Sequence, residues 1–155
     1  MELFLIDAIG PFFRGCGRMR VNWSKIPFMD LHDASPDDWS LIENELRDFA
    51  RLVSAQGYNA VTLDDLAHLA PHPLHEPEVA ERIDFLRGKF RAFFDMLHGD
   101  FGLRVYLTTD VLPVTPALSE AFGNDPAEME TYYVGLVRGI LEDFPQLAGL
   151  ILRVG

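Results

Sequence analysis

Residues 57–65 read Gly57-Tyr58-Asn59-Ala60-Val61-Thr62-Leu63-Asp64-Asp65. A glycine suited to ending a helix precedes a short apolar and β-branched run, and the run stops at paired aspartates. That is the grammar of a strand entered tightly and left through a polar loop. Three other runs repeat it in type: LFLID at 3–7, LRVYLTT at 103–109 and LAGLILRV at 147–154. All four look nearly continuously apolar, which points to strands of a parallel sheet covered on both faces.

Helix-length segments separate them. Ser35 is placed as an N-cap, Pro36 at the first helical position, and Asp37 and Asp38 at the positive end of the helix dipole. The buried stripe of this helix is expected at Trp39, Ile42, Leu46, Phe49, Ala50 and Val53, with Gly57 closing it. A second helix spans about 77–97, presents Val79, Ile83, Leu86, Phe90, Phe93, Phe94 and Leu97, and ends before Gly99. Its aromatic stripe, Phe85 included, is read as packing. A third starts at Asp125-Pro126 and buries Met129, Tyr133, Leu136, Ile140 and Leu141.

Strands alternating with helices make a β/α protein with parallel strands, and no linker divides the chain, so residues 1–155 form one unit. Two architectures use such repeats. A flavodoxin-like doubly wound sheet suits the length; a (β/α)8 TIM barrel usually takes about 250 residues. The loops favour the barrel. Connections leaving the strand C-termini are long (8–34, 65–76, 110–124), whereas the returns at Gly57 and 99–102 are short. The expectation is a partial (β/α)8 barrel, four parallel strands and three intervening helices, a fragment of a longer chain. Its partner would be the remaining half of the barrel or a second copy, because the first and last strands are apolar and lack edge protection.

Composition narrows the function. Among 155 residues there are 13 basic and 24 acidic side chains, a net charge of −11, which offers no basic surface for nucleic acid. No apolar run reaches the roughly 20 residues of a membrane span, and the start lacks a basic signal-peptide region. A single cysteine, Cys16, excludes an internal disulfide and fits a cytoplasmic protein.

Carboxylates end the strands: Asp7, Asp64 with Asp65, and Asp110. In parallel β/α units these ends share one rim, so the acids can meet a hydroxyl-rich ligand or a cation; alternatively each caps its own turn. The loop after the first strand adds Arg14, Trp23 and Lys25. An indole offers a flat face to a sugar ring, unless Trp23 folds back on Ile26, Pro27 and Phe28 as the loop's own anchor. His68, His72 and His75 lie in AHLAPHPLHEPE. Zinc is a weak reading there, because Pro71 and Pro73 break any helix that would align the rings; a hydrogen-bonding rim role for His68 or an exposed loop are the others. Gly10, Gly15 and Gly17 match no phosphate loop, and neither Cys16 nor Ser24 has a nucleophile's surroundings. No cofactor and no metal are expected.

The runs GYNAVTLDD, GLRVYLTTDVLP and FPQLAGLILRVG resemble the first half of a glycoside-hydrolase barrel, closest to hexosaminidase-like and α-glucuronidase-like groups. The resemblance implies a carbohydrate ligand and a hydrolase acting on a glycosidic bond of a sugar or uronic acid. It carries substrate contact onto Asp64 or Asp65, Asp110 and Arg153. Such barrels place a general acid just after strand four, where this sequence has Arg153-Val154-Gly155, so the catalytic acid is expected beyond it and the chain alone is expected to be inactive. The alternatives are a non-catalytic sugar-binding or scaffold module and a flavodoxin-like regulatory domain.

Overall fold

The computed structural model describes residues 2–7, 35–64, 66–109, 116–123 and 125–152. In chain order these form β1 (Leu5–Asp7), α1 (Pro36–Ala55), β2 (Ala60–Asp64), a 3-10 turn (Leu66–Leu69), α2 (Pro77–Asp95), a π-turn (Met96–Asp100), β3 (Arg104–Thr109), α3 (Pro116–Phe122), α4 (Pro126–Asp143) and β4 (Leu147–Leu152). The protein is mixed α/β. Its four strands pair in parallel in the order β1-β2-β3-β4, each beside the one before it in the chain. No helix among the described residues is long and apolar enough to cross a membrane.

Local chemistry sets the helix starts. The Ser35 hydroxyl accepts from the Asp38 amide at 3.1 Å while the Ser35 amide donates to Asp38 Oδ2 at 2.9 Å, a reciprocal capping box in front of Pro36. Asp125 Oδ1 accepts from the Ala127 amide at 2.9 Å ahead of Pro126. Gly57, with φ +89°, lies just past the end of α1, where a Cβ would be strained.

The strands do not read as the sequence suggested. The first three are shorter, beginning at Leu5, Ala60 and Arg104, and in β2 and β3 apolar and polar residues alternate, whereas β4 is apolar throughout. By register, Ile6, Val61, Val105 and Leu147 form one row across the sheet, with Leu63, Leu107 and Leu150 in the next. These aliphatic rows pack into one cluster with Ile42, Leu46, Phe90, Phe94, Leu136 and Ile140 of the three long helices. The opposite face has different chemistry, and residues of both kinds adjoin in every strand because successive side chains point to opposite faces.

Three expectations about helices are corrected. The second helix does not stop before Gly99: its last turn widens into the π-turn, and the positive φ falls at Gly102. The wider turn brings the consecutive Met96 and Leu97 both into the core. In α4 it is Tyr132 that is buried, not Tyr133, and Leu141 is exposed, because the core-facing stripe runs through Tyr132, Leu136 and Ile140. Phe85 is 39% exposed rather than fully packed, set edge-on against Trp39 with ring centres 5.6 Å apart. The loops after β2 and β3 each contain short helical turns not anticipated from the sequence.

Neighbouring helices are tied by cations. Arg47 of α1 reaches Asp100 at 2.6 Å. Arg87 of α2 donates to the Leu69 carbonyl at 2.6 Å and to Asp143 of α4, and both Arg87 and Arg91 lie over the Phe144 ring, 5.0 and 4.7 Å from its centre.

Candidate functional site

The face of the sheet away from the aliphatic cluster carries the polar strand positions. Register sorts them into rows: Leu5, Ala60 and Arg104 lowest; then Asp7, Thr62, Tyr106 and Gly149; then Asp64, Thr108 and Ile151 nearest the strand C-termini. Neighbours within a row lie roughly 4.8 Å apart and successive rows roughly 6.6 Å. Asp7 is therefore one row below Asp64 rather than level with it. The two positions form a diagonal across adjacent strands, with Thr62 beside one and below the other.

Four side chains of this face, Thr62, Arg104, Tyr106 and Thr108, are held by their neighbours. Thr62 and Thr108 are buried, and the Thr108 hydroxyl approaches the Leu63 carbonyl at 3.5 Å. The Tyr106 ring lies across Gly149, so close that a Cβ there would meet it at 3.4 Å. Arg104, half-buried in the lowest row, donates to Asn59 Oδ1 at 3.1 Å. Asn59 is a staple: the same oxygen accepts from the Phe4 amide at 3.0 Å, and its Nδ2 donates to the Glu2 carbonyl at 2.8 Å. The N-terminal ends of β1, β2 and β3 are thus joined through one amide, which fixes the register that sets the rows above it.

Of the residues singled out from the sequence, Asp7 and Asp64 take these strand positions. Arg14, Trp23, Lys25, Asp65, Asp110 and Arg153 lie outside the described residues. His68 is only 2% exposed, because the 3-10 turn sends Leu66, His68 and Leu69 inward together. Its ring centre is 6.5 Å from that of Phe90, and burial pushes its pKa down to about 4, so the imidazole is neutral at pH 7. His72 and His75 face each other with ring centres 6.0 Å apart. His72 Nδ1 accepts from the Leu74 amide and His75 Nε2 meets the Ala70 carbonyl at 3.0 Å. Burial, with a smaller contribution from His75, lowers the pKa of His72. No group of three or more metal-ligating side chains occurs among the described residues.

A cleft of about 250 Å³ lies away from the sheet face, between the loop after β2 and α4. Pro71 and His72 wall one side, Gly135 and Gly139 the other, with Tyr132 also lining it. Its sequence signal is the pair of glycines one helical turn apart, where an added Cβ would meet open space. The polar residues Thr62, Arg104, Tyr106 and Thr108 also escaped the sequence reading; the alternating pattern of β2 and β3 was the signal that marks them.

Fold and site together define a mixed α/β protein whose aliphatic strand rows pack with the helices and whose other sheet face sets Thr62, Arg104, Tyr106 and Thr108 among Leu5, Ala60, Gly149 and Ile151. Comparison of the chain with protein-family models, with curated proteins and with solved structures gives no match.

Proposed function

We propose that the sheet is half of a (β/α)8 barrel and that its polar face and strand ends bind a sugar or uronic acid, in a protein of the glycoside-hydrolase class. The carrying observation is the pairing register, which sets strand positions 7, 62, 64 and 108 as neighbours in the rows that alternate with the aliphatic ones. Sequential strand order supports the barrel over a doubly wound sheet, which reverses order at a switch point and packs helices on both faces. In this reading the strand-end aspartates Asp7, Asp64, Asp65 and Asp110 accept hydrogen bonds from ring hydroxyls. Trp23 stacks on an apolar ring face, and Arg14, Lys25 and Arg153 meet an acidic substituent. His68, turned inward from the loop after β2, holds that loop rather than touching the ligand. Hydrolysis asks in addition for two carboxyl groups, roughly 5–5.5 Å apart for retention or 6.5–9.5 Å for inversion.

Calorimetric titration with glucose and with glucuronate tests this. Saturable binding is expected, weakened at least about tenfold, the equivalent of about 1.4 kcal/mol, in Asp64→Asn and in Trp23→Ala. Absence of saturation with both ligands, or unchanged affinity in both variants, refutes the sugar site.

A further inference from the structure

Three hydrogen bonds fold the loop after β2 back on itself, and each runs through a histidine. The Leu74 amide donates to His72 Nδ1 at 3.1 Å, the His75 amide donates to the His72 carbonyl at 3.1 Å, and His75 Nε2 meets the Ala70 carbonyl at 3.0 Å. The first of these fixes a protonation state. A ring nitrogen that accepts from an amide carries no proton, so His72 is neutral in the closed loop and keeps its hydrogen on Nε2. The third works the other way round. A carbonyl can only accept, so His75 Nε2 carries the hydrogen; its Nδ1 is buried without a partner, and a second proton there would find no acceptor. His72 also fastens the loop to two helices. Its ring stands edge-on to the buried Tyr132 of α4, centres 5.1 Å apart, and to Phe122 of α3 at 5.8 Å, and with Pro71 it walls the cleft on α4.

A charge on these rings meets no counter-ion. They face each other at 6.0 Å, and among the described residues no carboxylate lies within ion-pair distance of either. The charged groups on the loop and on the elements packed against it are few. Glu76 closes the loop, and its Oε2 is buried with no bond to either ring. From α2, Arg87 holds the Leu69 carbonyl and Asp143, and Arg82 holds Glu78. From α4, Asp143 lines the same cleft but is already paired with Arg87, and Glu128 lies one turn before Tyr132. Helix α3 carries only Glu120, which is exposed. A proton on His72 therefore breaks the Leu74 bond and sets a cation beside His75 and near Arg87. We propose that the loop after β2 is an acid-released latch, closed over α3 and α4 while His72 and His75 are neutral and detached when His72 takes a proton at Nδ1, which opens the cleft.

Burial, with a smaller contribution from His75, holds the pKa of His72 below the ordinary 6.5, so closure is fully favoured above pH 6.5 and weakens as the pH falls below it. For one imidazole that is neutral when closed and ordinary when open, the limit at pH 5.0 is a factor of about thirty. His68 stays neutral down to about pH 4, so the 3-10 turn remains seated while residues 70–75 open.

Amide hydrogen exchange of the 155-residue chain, resolved by NMR from pH 7.5 to 5.0 and corrected for intrinsic rates, reads the latch at Leu74 and His75. Protection at both is expected to fall about tenfold at pH 5.0 while far-UV circular dichroism stays constant. His72→Asn keeps an oxygen within reach of the amide two residues on, as Asx turns do, and gains no charge; His75→Gln keeps a donor for Ala70. The chain carrying both should stay closed at pH 5.0. His72→Phe keeps a ring but no acceptor and should be open at either pH. Wild-type protection that is unchanged at pH 5.0, a double variant that loses protection as the wild type does, a phenylalanine variant that stays closed, or a His72 ring that charges by its carbon shifts while Leu74 stays protected overturns the proposal. The wild-type series stands without any variant. The latch rests on the loop's own bonds and not on the sugar, and none of these measurements involves a ligand, so the two readings fail separately.

Discussion

Replacing Asn59 by alanine should loosen the sheet at its N-terminal side. Three side-chain hydrogen bonds disappear: from the Phe4 amide, to the Glu2 carbonyl, and from Arg104. A typical intramolecular hydrogen bond is worth about 0.5–1.5 kcal/mol net, and the two bonds to β1 are open to solvent, which places them at the low end. Arg104 adds a larger loss. Its Nε is already buried without a partner, and the substitution strips a second contact from a half-buried cation. The sum is about 2 kcal/mol, and for a chain of this size each kcal/mol moves the melting temperature by about 2–4 °C. Thermal unfolding followed by circular dichroism should therefore shift down by about 4–8 °C, with β1 amides losing exchange protection first. Asn59→Asp should fall between, since a carboxylate still accepts from Phe4 and Arg104 but has no proton for Glu2. A shift under about 1 °C in the alanine variant, or an aspartate variant worse than alanine, would show that the staple does not hold the strands together.

Two further outcomes follow from buried rings. The pKa of His68 is about 4 in the folded protein against an ordinary 6.5, so below pH 6.5 the unfolded chain takes up the proton first. Stability is then full above pH 6.5 and falls as the pH drops toward 4, by a loss on the order of 3 kcal/mol. Urea unfolding at pH 7 and pH 4 should give His68→Gln a smaller loss than the wild type, and equal losses would show that His68 does not carry this proton linkage. Phe144 is fully buried, edge-on to Phe94 and covered by two guanidinium groups. Phe144→Ala should cost about 3–5 kcal/mol by denaturant titration, and Phe144→Leu clearly less; equal costs would mean that cavity size does not govern this site.

The helix starts were legible because they rest on short-range chemistry. Ser35, Pro36 and Asp38 form a cap whatever the rest of the chain does, and so do Asp125 and Pro126. The four strands were legible for the same reason, as β-rich runs bounded by glycine and aspartate. What sequence could not assign was direction. Leu141 looks like core by composition, yet it lies on a flank of an outermost helix, and no local rule distinguishes a flank from a core-facing stripe. The π-turn escaped because it answers a tertiary demand, the burial of Met96 and Leu97 side by side. Asn59 stood in view just ahead of β2, but its three partners come from the residues before β1 and from β3, brought to it only by the fold. At the site, the positions of Asp7 and Asp64 were readable as strand ends, whereas their one-row offset depends on pairing register. The inward turn of His68 was hidden by the prolines around it, which read as loop.

The simple order of the strands also has a kinetic side. Every strand finds its partner in the segment translated just before it, so no pairing waits for sequence still to come. Each closure spans about 40–55 residues, as parallel pairing requires, but the closures are completed one at a time and each is followed at once by the contacts that offset its entropic cost. Assembly can then advance with the ribosome, each new helix sealing the ribbon laid down ahead of it, and unpaired ribbon is exposed to neighbouring chains only briefly.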